Sequence, residues 1–237
     1  MLIAAGSSIL IEEGLTNGVG DLTLTQAYER LAERHGIRVT NASVIGRIWT
    51  GVAEYRIDVL VAVASSIDLA KVADQTKEAL APALASLDTS TPESRLAGLA
   101  EVSRLGGRAA VDAIVSSPDH ALWIGIWVLG LSGAGAEVAT SHERVRQVLV
   151  AGADAAIDGW EELVSWAAEF VGIRPRTPYN FRQFALAVSS LIEGALLFRP
   201  PVAPGQSNRS TALSPISQGV YALVAHFFEL DPAWRPG

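Results

Sequence analysis

The stretch Thr23–Leu60, TLTQAYERLAERHGIRVTNASVIGRIWTGVAEYRIDVL, decides how this chain is read. Leu24, Ala27, Tyr28 and Leu31 recur at helical spacing and place one apolar stripe on a helix. Thr23 and Gln26 have the spacing of a capping box, in which a hydroxyl accepts from the third backbone N–H while the amide reaches back. Gly36 follows Glu33-Arg34-His35, where a helix would close on a left-handed residue. Thr40 stands where it can cap a second short helix, with Val44, Ile45 and Ile48 turned inward. Thr40, Asn41, Ser43 and Arg47 then share the outer side. Small polar side chains and an arginine are what a helix needs to reach base edges in a major groove. A longer third helix follows. This is the layout of a helix-turn-helix reader.

Charge bears on this in two directions. Arg30, Arg34, Arg38 and Arg47 lie in one short segment, where arginines can pair with phosphate oxygens. Over residues 1–64, however, Glu12, Glu13, Asp21, Glu29, Glu33, Glu54 and Asp58 outnumber the arginines. A plain helical hairpin with caps, a glycine and surface arginines also fits these spacings.

Leu31-Ala32-Glu33-Arg34-His35-Gly36, then Val39-Thr40-Asn41-Ala42-Ser43-Val44 and Trp49, resemble the DNA-binding domain of the tetracycline-repressor (TetR) family. The motif resemblance covers residues 23–60. It implies a three-helix DNA-binding domain over residues 1–64 and a helical effector-binding and dimerisation domain over residues 65–237. The family's usual tyrosine pair is Ile45-Gly46 here, and Val52 stands near the position of a common lysine. Arg47 and Arg56 are the residues left to meet phosphate. The DNA-binding set is therefore Arg38, Thr40, Asn41, Ser43, Arg47 and Arg56.

Composition is consistent with an all-α chain. Apolar residues make up 49%, which supplies a sizeable core, and the absence of cysteine excludes disulfides and thiolate metal sites. The formal charge of −7 argues against general coating of nucleic acid, though not against one local reader. The amino-terminal MLIAAGSSILIEEGL has no basic residue ahead of its apolar run, which is unlike an export signal. The run His120–Ala136 is rich in glycine and short for a membrane span, so a buried helix is expected there, in a cytoplasmic protein with no membrane partner.

Downstream of Leu60 the signal is nearly all helical, in about six helices. Breaks are expected at Ser86–Glu93, Ser116–Pro118, Gly133–Gly135, Gly172–Tyr179 and Arg199–Pro215, with a long helix around Ala139–Val171. Two late segments have broad apolar faces, carrying Phe184, Val188, Leu191, Ile192 and Ala195, then Val220, Leu223 and Phe227. By the resemblance these form a four-helix interface across a two-fold axis, which a paired reader also requires. The alternative is that both faces are buried within one subunit. His120, Trp123, Trp127, Trp160 and Phe170 are the candidates to line a pocket for a small apolar or aromatic effector. Aromatics at helical spacing are as often plain core.

Enzymatic motifs are missing. His35, His120, His142 and His226 show no metal-ligand spacing, and there is no phosphate loop, serine elbow or dinucleotide fingerprint. No catalytic residue, metal or cofactor is expected. The expectation is a dimeric, ligand-responsive regulator, in this family most often a repressor, bound to a palindromic double-stranded operator. The alternative is a helical small-molecule-binding or interaction protein with a degenerate, DNA-incompetent helix-turn-helix.

Overall fold

The computed structural model describes residues 1–13, 22–39, 48–131, 139–197 and 209–235. Among these the fold is all-α. The helices are α1 (Leu2–Glu13), α2 (Leu24–His35), α3 (Val52–Ser66), α4 (Ala70–Ala85), α5 (Pro92–Ser116), α6 (Pro118–Leu131), α7 (Ala139–Val171), α8 (Phe181–Leu197) and α9 (Arg209–Phe227). Two short strands, β1 (Ile173–Pro175) and β2 (Phe228–Leu230), pair antiparallel, with Ile173 opposite Leu230 and Pro175 opposite Phe228. The chain divides into two compact units, Met1–Asp68 with Pro118–Ala153, and Leu69–Ser117 with Asp154–Gly237. The first unit thus takes in a segment distant in sequence, which local periodicity does not reveal.

In the first unit, α2 begins and ends where its sequence dictates. Thr23 has extended backbone and accepts from the Gln26 N–H at 3.2 Å, while the Thr23 N–H donates to Gln26 Oε1 at 2.7 Å. Gly36 closes the helix at φ 65°, its N–H bonded to the Ala32 carbonyl. That left-handed region suits a residue without Cβ. Ala27 and Leu31 are buried, and α1 packs on both α2 and α3. On α3, Tyr55, Val59 and Val63 repeat every four residues and are fully buried. Trp49, just ahead of α3, is buried, edge-on to Tyr55, and its indole N–H donates to Asp58 Oδ2 at 2.7 Å. Asp58 Oδ1 meets Arg144 of α7 at 2.8 Å. α6 sits on the first part of α7 through Trp123, whose Cη2 lies 2.5 Å from where a Cβ on Gly152 would stand.

The second unit packs α5 against α4 and α9, and α9 against α8. Its core joins Leu80 and Leu84 of α4, Val102 and Val111 of α5, Trp160 and Leu163 of α7, Phe184 and Ile192 of α8, and Val220 of α9. α5 starts on Thr91, whose hydroxyl accepts from the Ser94 N–H at 3.1 Å, with Pro92 at the first helical position.

Two sequence expectations need correction. Ile48, expected inward, is 56% exposed, and Trp49 beside it takes the buried position. The proline-rich loop expected through Pro215 stops earlier, because α9 starts at Arg209 and holds Pro215 inside it. The breaks at Ser86–Glu93, Ser116–Pro118 and Gly172–Tyr179 and the helix Ala139–Val171 are where the sequence puts them. Gly133–Gly135, Val44 and Ile45 lie outside the described residues.

Thr23→Ala removes the acceptor of the α2 cap and is expected to destabilise the protein by about 1 kcal/mol, read as a lowered midpoint in urea unfolding followed by circular dichroism.

Candidate functional site

The second unit holds a partly open cavity of ≈ 90 Å³. Leu99 and Val102 of α5, Trp160 and Leu163 of α7, Val188 and Ile192 of α8, and Val220 and Val224 of α9 form its walls. Ile173 of β1 and Phe228 of β2 contribute at the ribbon. Thr76 and Ser103 are the hydroxyl residues of the lining, and both hydroxyls bond back to their own helix. Thr76 donates to the Val72 carbonyl and Ser103 to the Leu99 carbonyl, each at 2.8 Å. No titratable side chain is among the lining residues. Its lining is almost wholly apolar and suits an apolar group.

Of the residues expected to line a pocket, Trp160 does so. Phe170 is 43% exposed and stands edge-on to Trp166 at 5.5 Å, away from the lining. His120, Trp123 and Trp127 belong to the first unit. Trp123 is buried against Gly152 of α7, with the Trp127 ring 6.1 Å away, so it serves as core packing. His120 is also buried, and burial holds its imidazole below the ordinary value of 6.5, favouring the neutral form.

The α8 and α9 residues expected at a two-fold interface are placed largely inside the chain. Phe184, Val188, Ile192 and Val220 are buried in the unit's own core and line the cavity. A side chain already buried has little area left for a partner. Leu191, Ala195, Leu223 and Phe227 are partly buried against the same core. Among the described residues of these two helices, Leu186 and Tyr221 are the large apolar side chains left exposed. The sequence did not separate these faces, because α8 is apolar around most of its circumference. A better signal for the cavity was Gly106-Gly107 in the middle of α5, a site of close helix approach.

In the first unit, Arg38 is exposed. Thr40, Asn41, Ser43 and Arg47 lie outside the described residues. Arg56 donates its Nε–H to the Leu22 carbonyl at 2.8 Å, tying α3 to the start of α2. Arg30 and Arg34 both pair with Glu12 of α1, and Arg30 also donates to the Ser8 hydroxyl. The hydrogen bond from Arg30 lowers the Glu12 carboxyl pKa and keeps it ionised. Arg30, Arg34 and Arg56 are thus bound within the unit. Among the described residues no group of side chains is suited to hold a metal ion, and no helix is long and apolar enough to cross a membrane.

Compared with protein-family models, curated proteins and solved structures, the chain matches none.

Burial of His120 sets a pH dependence. Its folded pKa is depressed, so the unfolded chain takes up the proton first as the pH falls below 6.5. The associated stability is present above that value and declines as pH drops toward the folded pKa, with a limiting slope of about 1.4 kcal/mol per pH unit. Urea unfolding between pH 7 and 5 is expected to show this loss in the native chain and a flatter profile in His120→Phe.

Proposed function

We propose that this chain is a ligand-responsive, dimeric DNA-binding regulator of the tetracycline-repressor kind, acting as a repressor, with an apolar effector held in the cavity of its second unit. The observation that carries the reading is the boundary of α2. A two-way capping box at Thr23 and Gln26 and a left-handed Gly36 fix where the chain leaves this helix toward residues 40–47. Trp49, bonded to Asp58, anchors the chain just ahead of α3. The resemblance puts the recognition helix between those anchors, with Arg38, Thr40, Asn41, Ser43 and Arg47 toward the operator.

The effector side rests on the chemistry of the cavity. Its hydroxyls are engaged and its walls are apolar, so a small uncharged hydrocarbon or aromatic group is the ligand that gains most from entering. In the regulator, such a ligand releases DNA only if it binds the DNA-incompetent state more tightly. Dimerisation would use the exposed side of α8 and α9, where Leu186 and Tyr221 stand.

A second reading is favoured by the arginines. Arg30 and Arg34 are engaged by Glu12 and Arg56 by the Leu22 carbonyl, as in a small-molecule-binding protein whose reader no longer engages DNA.

A mobility-shift assay separates the two. The regulator retards DNA from upstream of its own coding sequence at low salt and loses it as salt rises. Arg38→Ala and Arg47→Ala each reduce the log–log salt slope by about 1. An unshifted probe at low salt contradicts the first reading and leaves the second.

A further inference from the structure

The walls of the cavity are not equivalent. Between helices the contacts are close and apolar. A Cβ on Gly107 of α5 would stand 3.3 Å from the Ser217 backbone of α9, and one on Gly219 of α9 would stand 2.8 Å from Leu191 Cδ2 of α8. Parting these walls opens a packed core along whole helices. At the ribbon, by contrast, the wall is two side chains, Ile173 and Phe228, carried on strands of three residues each. A two-stranded ribbon of that length has little stability of its own.

The ribbon is held by its own pairing, by the Arg174–Glu229 and Arg176–Phe228 bonds, by Phe228 against Phe181 and Phe184, and by a polar clasp from the segment that follows β2. Gly172, at φ 71°, turns the chain from α7 into β1. Its carbonyl accepts from the Asp231 N–H at 2.9 Å and from Arg95 Nη1 at 3.2 Å. The Trp234 indole N–H donates to the Glu169 carbonyl at 2.8 Å, in the last turn of α7. Arg95 is buried, and its guanidinium lies 4.8 Å from the Trp234 ring centroid, in cation–π contact. Trp234 also covers Gly172, so a side chain there would collide with the indole and with Arg95. Trp234 itself is only partly buried. One partly exposed indole thus adds to the fastening of a ribbon whose Ile173 and Phe228 line the apolar cavity.

We propose that the segment Phe228–Arg235 is a strap that gates the cavity, with Trp234 as its latch: release of the indole from Arg95 and Glu169 lets β2 lift and admits an apolar ligand between Ile173 and Phe228. The proposal rests on the cavity being a ligand site. Opening here breaks the β1–β2 pairing, the Arg174–Glu229 and Arg176–Phe228 bonds, the Arg95–Trp234 contact and the Phe228 contacts with Phe181 and Phe184, and leaves the helix contacts at Gly107 and Gly219 intact. Local openings of this kind lie well below global unfolding in free energy.

The absence of cysteine permits a direct test. Ser103→Cys puts a single thiol in the cavity wall, and Ser217→Cys puts one at the buried α5–α9 contact, outside the lining. Labelling by dithiodipyridine, a neutral thiol reagent, is timed in the full chain with and without Trp234→Ala. The strap predicts that Trp234→Ala accelerates labelling at position 103 by about tenfold or more and leaves position 217 unchanged. Trp234→Phe keeps a ring under Arg95 and loses the N–H bond, so it gives an intermediate rise and serves if the alanine variant does not fold. An unchanged rate at 103, or an equal rise at both positions, overturns the strap. Benzene at saturation slows labelling at 103 in the opened variant if the cavity is a ligand site. Acceleration that benzene fails to slow retains the strap and overturns the ligand reading alone.

Discussion

The second unit depends on how closely α5 approaches α9. At Gly107 the two helices are near enough that a methyl group would press on the Ser217 backbone, and the Ser217 hydroxyl reaches across to the Arg104 carbonyl at 3.3 Å. α4 is seated on the same helix, where Leu80 lies 3.3 Å from the Cβ position of Gly106. With α5 fixed against both neighbours, Trp160 of α7 and Val188 and Ile192 of α8 meet across a gap they do not fill. Close packing elsewhere in the unit is what keeps that gap open, since interiors relax only partly around a void. A side chain at position 107 would push α9 away and remove the geometry on which the cavity rests.

The first unit is organised by carboxylates. Asp58 receives the Trp49 indole and Arg144, joining the entry of α3 to α7. Glu12 gathers Arg30 and Arg34 and joins α1 to α2. These contacts orient the helices. The Glu12–Arg34 pair is exposed and therefore weak, the Arg34 side chain being half exposed. Arg56 is a different case, because its hydrogen bond to the Leu22 carbonyl is part-buried and holds the start of α2 in place.

The parts of this fold that were legible in the sequence are those set by local chemistry. The Thr23–Gln26 box, the left-handed Gly36 and the break at Ser86–Glu93 ahead of α5 each follow from a few adjacent residues. What was not legible is which face of a uniformly apolar helix meets which neighbour. Phe184, Val188 and Ile192 read equally well as dimer surface or core, and only the tertiary packing assigns them to the cavity. The tryptophans show the same limit. Trp123, Trp127 and Trp160 have similar helical settings, yet one packs on Gly152 of the first unit and another lines the void of the second. The Arg95–Trp234 contact was invisible because it joins residues far apart in sequence, with no motif marking either.

The second unit holds an apolar space among α5, α7, α8 and α9. Diffraction from crystals equilibrated under xenon pressure probes this space, because xenon enters apolar cavities and scatters anomalously. An anomalous peak is expected among Trp160, Val188, Ile192 and Val220, with no ordered water there in the untreated crystal. A cavity that stays free of xenon, or that holds water bonded to Thr76 or Ser103, would contradict that expectation.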